Sequence, residues 1–277
     1  MTTSVSEKRE AFHALHQSGC FTLANPWDAG SAKYLQSMGF KALASTSAGF
    51  AWSIGKPDNR VTRDEVLAHL RSLCEATDLP MNADFEGGFA DDPEHVAANV
   101  RLAAETGVAG LSIEDRTGDG LYDHALAVER IAAARAVIDA DKSRVLLVAR
   151  CEGALIGQDD LGFIIKRLAA FVEAGADCVY APGVGVSEAV AELVKAVAPT
   201  PVNVLLTTGG LSVSQLAALG VRRVSVGGAM ARTAWGGFMR AAKAIAEHGV
   251  FDGFAGAATG AELNALFRAV PDAAERT

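Results

Sequence analysis

A (β/α)8 barrel of the α/β class (a TIM barrel) is the fold this sequence predicts, and three observations carry the expectation. Short β-branched or apolar runs alternate with longer segments whose apolar residues recur at i, i+3 and i+4, and eight such units follow one another. Many helical segments end in a glycine suited to a left-handed cap, as in "SMGF", "ETGVAG", "EAGADC" and "ALGVRR". The length of 277 residues suits one such barrel.

Taken in order, strand 1 (Phe21 to Ala24) runs through "NPWDAG" into a helix near 29–38. Strand 2 (Lys41 to Ser45) ends in "STSAGF", ahead of a helix at 63–76. Strand 3 (Pro80 to Ala83) ends in "NADFEGG" and leads to a helix at 93–106. Strand 4 (Gly110 to Glu114) passes through "EDRTGDG" to a helix at 125–140, and strand 5 (Arg144 to Arg150) through "RCEG" to one at 159–174. Strand 6 (Cys178 to Pro182) turns at "APGVG" before a helix at 186–197. Strand 7 (Pro201 to Leu206) turns at "TTGG" before 212–219, and strand 8 (Arg222 to Gly227) at "GGAMAR" before 229–247. Residues 1–15 form a helical lead-in to this single domain of 1–277. Residues 248–277 form a tail, helical through "GAELNALFRAV", that either packs on a neighbouring subunit or trails as a loose terminus.

Charge and composition remove several function classes. Lys+Arg 25 against Asp+Glu 33 gives a formal charge of -8, with no basic run to attract a phosphate backbone, so nucleic acid is not expected. No apolar stretch approaches the roughly 20 residues that cross a bilayer, and the N-terminus lacks the apolar segment of a secretory leader. A soluble, cytoplasmic protein without a membrane partner is expected. Cys20, Cys74, Cys151 and Cys178 stand singly, without a CxxC pair, and read as reduced thiols rather than zinc ligands.

In barrels of this kind chemistry gathers at the C-terminal strand ends, which here hold most of the acids and hydroxyls. Asp84 and Glu114 are expected on adjacent strands, about 4.8 Å apart. Two carboxylates facing one cavity repel, so they need a shared proton or a divalent cation, and an all-oxygen setting suits Mg²⁺ or Mn²⁺. The alternative is that they cap helices or pair with Arg60 or Arg116. Asn82 shares the Asp84 side of its strand by period-2 alternation and is placed to bond a metal-bound water, with Glu86 as a further nearby acid. Arg150, at the tip of strand 5, offers a fork suited to a substrate carboxylate, or else neutralises the acids beside it. "STSAGF" supplies hydroxyls and backbone N–H groups for a carboxylate or an enolate oxygen, unless it is an ordinary Ser/Thr turn. "SVGGAMAR" is a weaker candidate phosphate cradle.

Together "NPWDAGSAKYLQSMGFKALASTSAG", "GKPD", "NADFEGGFAD", "AGLSIEDRTG", "VARCEG" and "EAGADCVYAPG" resemble the isocitrate lyase and phosphoenolpyruvate mutase superfamily over nearly the full chain. The resemblance implies a barrel that assembles as a homotetramer, a dimer of dimers, with its last barrel helix exchanged between subunits. It also implies a Mg²⁺-dependent enzyme (or one using Mn²⁺) acting on small 2-oxo or 2-hydroxy acids through an enolate-like oxyanion. By position, Ser45, Thr46 and Ser47 match the substrate cradle, and Asp58 the acid that reaches the metal through water. Asp84 and Glu114 match metal carboxylates, Arg150 the substrate-binding arginine, Glu152 a supporting acid, and Trp27 a pocket wall. Asn203 joins the expected substrate-binding set, while Asp58, Arg150 and Tyr122 are the expected catalytic residues.

Three departures narrow the activity. The first acid of the usual Asp-Ala-Asp triplet is Asn82, which leaves Asp84 to hold a cation more nearly alone. The Lys-(Lys/Arg)-Cys-Gly-His loop of isocitrate-type lyases is replaced by "RTGDGLYD", which lacks their Cys acid and makes Tyr122 or a metal-bound water the substitute. No Asn lies between Asn99 and Asn203, which removes the gating Asn of the mutases. The expectation is a Mg²⁺-dependent C–C lyase for a small 2-oxo or 2-hydroxy (di)carboxylic acid. A phosphonopyruvate hydrolase or mutase-like C–P enzyme and a non-catalytic 2-oxo-acid-binding barrel are the alternatives.

Overall fold

The computed structural model describes residues 3–118, 120–206 and 208–269. Eight short parallel strands form one sheet: β1 (Phe21–Leu23), β2 (Leu43–Ala44), β3 (Met81–Asp84), β4 (Gly110–Glu114), β5 (Leu146–Arg150), β6 (Cys178–Tyr180), β7 (Val202–Leu205) and β8 (Arg223–Ser225). Their order is β1-β8-β7-β6-β5-β4-β3-β2. The two ends of this sheet meet through the parallel bridge Ala24↔Leu43, where the Ala44 N–H donates to the Ala24 carbonyl at 3.1 Å. The sheet is therefore a (β/α)8 barrel, as the eight-unit pattern predicts. Most strands are a residue or more shorter than their sequence-read limits, at one end or both, while β3 runs one residue further to Asp84.

Helices α2 (Ala29–Ser37), α4 (Arg63–Ala76), α5 (Pro93–Ala104), α6 (His124–Ala140), α7 (Leu161–Glu173), α8 (Ser187–Val197), α9 (Val213–Ala218) and α10 (Ala229–His248) follow the eight strands. A further helix, α3 (Ser47–Ser53), stands where the sequence suggested only a turn. The Thr46 hydroxyl accepts the Gly49 N–H at 3.2 Å and starts it. The glycine beat is real: Gly175 and Gly220, at φ +101° and +89°, reverse the chain between α7 and β6 and between α9 and β8.

The lead-in, α1 (Val5–Gln17), opens on a capping box between Ser4 and Glu7 and closes the N-terminal end of the barrel. Phe12 is fully buried there among Phe21, Ala109, Leu146 and Cys178. Lys8 Nζ donates to the carbonyls of Cys74 and Thr77, and the Arg9 guanidinium to those of Ala104, Val108 and Ser143. The helix α1 thus covers that end of the barrel. The tail forms α11 (Gly260–Ala269), and its expected continuation to 277 lies outside the described residues. Along α10 only Ala231 is buried, while Trp235, Phe238 and Met239 are exposed. No helix among the described residues is long and apolar enough to cross a membrane.

Candidate active site

The tips of β3, β4 and β5 place three carboxylates around one guanidinium. Arg150 pairs in register with Glu114 on the neighbouring strand. Its Nη1 lies 2.6 Å from Asp84 Oδ1, its Nη2 3.4 Å from Glu114 Oε2 and its Nε 2.9 Å from Glu152 Oε1. Burial alone would lower the Arg150 pKa, but Glu152, Glu114 and Asp84 together outweigh it and hold the group well above its ordinary value. Glu152 is itself fixed from behind, where its N–H donates to Asp115 Oδ1 at 2.8 Å. Asp115 Oδ2 accepts Arg167 Nε at 2.8 Å in a pair that is almost wholly buried. Breaking a pair of that kind typically costs about 3–5 kcal/mol.

Asp84 is tied to the strand 2 loop as well. Its second oxygen accepts the Ser47 N–H at 2.9 Å, and its own N–H donates to Ser45 Oγ at 2.8 Å. Asn25 ties the far side by donating to the Ser45 carbonyl and accepting the N–H groups of Val226 and Gly227. These bonds fix "STSAGF" as a rigid wall. Ser45, Thr46, Ser47, Asp58, Asn82, Asp84 and Arg150 all line one cavity of about 300 Å³ at the mouth of the barrel.

A second chamber, of about 420 Å³, adjoins the first, with Asp58 lining both. Glu86, Asp91, Glu114, Arg116 and Tyr122 line this second space. Glu86 has a left-handed backbone, φ +46°, and its carbonyl accepts the Glu114 N–H at 3.0 Å. Its carboxyl is turned inward, and Oε1 is buried with no hydrogen-bond partner. Burial first, then the charges of Asp84 and Asp58, push the Glu86 pKa up to about 7. Glu114 is raised too, chiefly by burial. Asp58 follows the same direction, through desolvation of its carboxyl and the neighbouring Asp84 charge.

An orphaned buried oxygen in an all-oxygen, acid-rich setting fits a hard divalent cation. Among the described residues no three His, Cys, Asp or Glu side chains converge closely enough to hold an ion unaided. An ion here would have to be held in part through water, with Asp84, Asp58, Glu86 and Glu114 as the nearest acids.

Two sequence-read residues, Trp27 and Asn203, stand elsewhere than expected, and two that do line the chambers, Asn82 and Tyr122, are engaged with other partners. Trp27 does not line the acid cavity; it faces an apolar cleft with Ser53, Ala234, Trp235 and Phe238. Asn203 lies behind the cavity wall, accepting Arg223 Nε at 3.0 Å and donating to Ser225 Oγ at 3.0 Å. The Asn82 carboxamide is committed to Arg223 Nη1 at 3.2 Å and to the Ala83 carbonyl at 2.9 Å. Tyr122 donates its phenol proton to Asp91 and stacks under Arg130, and burial with that bond pushes its pKa up to about 12. Cys151 is buried, its thiol raised to about 12 by desolvation, in keeping with a spectator.

Arg223, Ser225, Ser112 and Tyr180 also line the cavity and escaped the sequence reading. The available signal was a charged residue in a buried strand, at inward parity with Ser225.

The phosphoenolpyruvate phosphomutase family profile matches residues 12–246. The chain belongs to that family. Its membership places it in the isocitrate lyase and phosphoenolpyruvate mutase superfamily, as the motif set implies. A solved structure of a candidate lyase/mutase from Burkholderia cenocepacia J2315 is 47% identical, with TM-score 0.92, over 97% of this chain and 98% of the other. An uncharacterised protein of Mycobacterium tuberculosis H37Rv is 36% identical over 78% of this chain and 81% of its own. The 2-methylisocitrate lyase of Escherichia coli K12 is 29% identical over 64% of this chain and 62% of its own. Phosphonopyruvate hydrolase in complex with oxalate and Mg²⁺ shares the fold, at TM-score 0.83 and 24% identity over 94% of both chains.

The raised Glu86 carboxyl has a consequence for stability. The native state holds its proton up to about pH 7, whereas a free Glu loses it near 4.5. The native fold therefore loses stability as pH rises between those values and levels off above them. In metal-free buffer, Glu86→Gln is expected to raise the melting temperature over wild type by a margin that grows from pH 5 to 7.5. A margin independent of pH, measured by calorimetry, would contradict the assignment.

Proposed function

We propose that this protein is a Mg²⁺-assisted carbon–carbon lyase for a small 2-oxo or 2-hydroxy dicarboxylic acid. The observation that carries the reading is the pair of joined chambers: one lined by acids with an orphaned carboxyl oxygen, the other by hydroxyls and guanidinium groups, with Asp58 between them. A bound divalent ion would polarise the substrate's oxygen atoms and offset the charge that builds as the bond breaks. Family relatives include a 2-methylisocitrate lyase, and phosphonopyruvate hydrolase holds both oxalate and Mg²⁺.

The chain's own residues divide the remaining tasks. Arg150, clamped by three acids, offers the substrate fixed N–H donors rather than net charge, and so orients it without moving itself. Ser45 Oγ already accepts the Asp84 N–H, so its hydroxyl proton is free to bond a substrate carboxylate. Ala48 lines the cavity near the start of α3, where the first backbone N–H groups of a helix have no intrahelical acceptor. Asp58, with its raised pKa, accepts the proton of a 2-hydroxyl, which in a 2-oxo acid is first supplied by addition of water to the 2-oxo carbon. The C–C bond electrons then pass to the departing fragment as an enolate, and the 2-oxygen becomes a carbonyl. The stretch of Asp115, Arg116 and Thr117 is pinned by the Arg116↔Leu121 bridge and supplies no Cys acid. Protonation of the enolate therefore falls to water or to an acid of the second chamber.

A screen of 2-oxo and 2-hydroxy dicarboxylates with Mg²⁺, read by mass spectrometry, should find one that splits into two smaller acids. EDTA should abolish turnover, and Asp58→Asn should lower kcat by about 10²-fold or more. Release of inorganic phosphate from phosphonopyruvate alone would instead establish a C–P enzyme, and binding without turnover a sensor.

We also propose that the protein works as a homotetramer in which the exposed Trp235, Phe238 and Met239 face of α10 is covered by another copy. Light scattering is expected to give four times the 28.7 kDa chain mass, and a monomer at micromolar concentration would refute this.

A further inference from the structure

Arg150 has a carboxylate at every nitrogen, so it brings no net positive charge to a ligand. Arg223 differs. It projects from β8 into the barrel, lines the floor of the 300 Å³ cavity, and is 3% exposed. Its Nε and Nη1 are held by neutral amide oxygens, those of Asn203 and Asn82, and its guanidinium lies 5.9 Å above the Phe12 ring. No acid pairs with it among the described residues. A buried cation without a counter-ion is costly, because water is gone and nothing charged replaces it. The two amides orient the fork without cancelling its charge, and the hydroxyls of Ser112 and Ser225 line the same cavity. An anion entering from the rim would supply the missing counter-charge.

We propose that Arg223, oriented by Asn82 and Asn203, is the specificity-determining residue that reads a second carboxylate of the substrate at the barrel floor. This rests on the reading of the cavity as an acid-binding site and deepens it: dicarboxylates are selected over monocarboxylates because only they satisfy the unpaired guanidinium. It also gives Asn82 a reason. An Asp at that position would neutralise Arg223 and close the floor to anions.

Binding of malate and of lactate, each with Mg²⁺, is measured by titration calorimetry. Wild type should prefer malate. Arg223→Gln should weaken malate by about 10- to 100-fold and leave lactate unchanged. Because a buried arginine can be needed for folding, Asn203→Asp is the second variant: it places a carboxylate against Arg223 Nε and neutralises it in place. The same selective loss of malate is expected, with the melting temperature kept or raised. Equal loss of both acids, or an unchanged preference in a folded Asn203→Asp protein, would overturn the proposal. If wild type bound neither acid, the acid-binding reading itself would fail, and with it this inference.

Discussion

The architecture of the site depends on one electrostatic imbalance: a single guanidinium, Arg150, balances three carboxylates from three consecutive strand tips. Removing these charges from water is expensive, and one cation cannot neutralise three anions. Burial pushes Glu86 and Glu114 toward their protonated forms, and the surplus negative charge around them adds to that shift. It also explains why a dianionic ligand needs help on entering. Either a divalent cation or an unpaired arginine must lower the local field, and the site offers a place for each.

The rest of the barrel holds that cluster still. Asp115 and Arg167 fix the loop behind Glu152, Ser45 and Ser47 fix Asp84, and α1 shuts the opposite end. Rigid supports of this kind let a small cavity present charge at set positions, which is where electrostatic catalysis gains most of its effect. Asp58 sits where the acid-lined and hydroxyl-lined spaces join, so a proton moved there stays between the two groups of partners.

Much of this was readable from residues alone, for physical reasons. Parallel strands buried on both faces must be continuous apolar runs, so all eight could be located, and their polar tips exposed Asp84, Glu114 and Arg150. The missed features depend on contacts across sequence. Ser47 to Ser53 contains residues that favour a turn as readily as a helix, and only the Thr46 cap and burial of Ala51 decide between them. Trp27 was read toward the acid cavity, yet Ser47 and Ala48 of α3 line that cavity, and Trp27 lines a separate cleft shared with α10 instead. Asn82 and Asn203 each look like ligand-binding amides until Arg223, far along the chain, is seen to occupy both oxygens.

The account is tested most directly by titrating the protein with Mn²⁺ at pH 6.5 in two buffers of different ionisation enthalpy. It predicts saturable binding with net proton release, because a cation placed among these acids displaces the proton that Glu86 retains when free. Absence of binding, or binding with no release of protons, would contradict the view that the excess negative charge around Arg150 is built to receive a divalent ion.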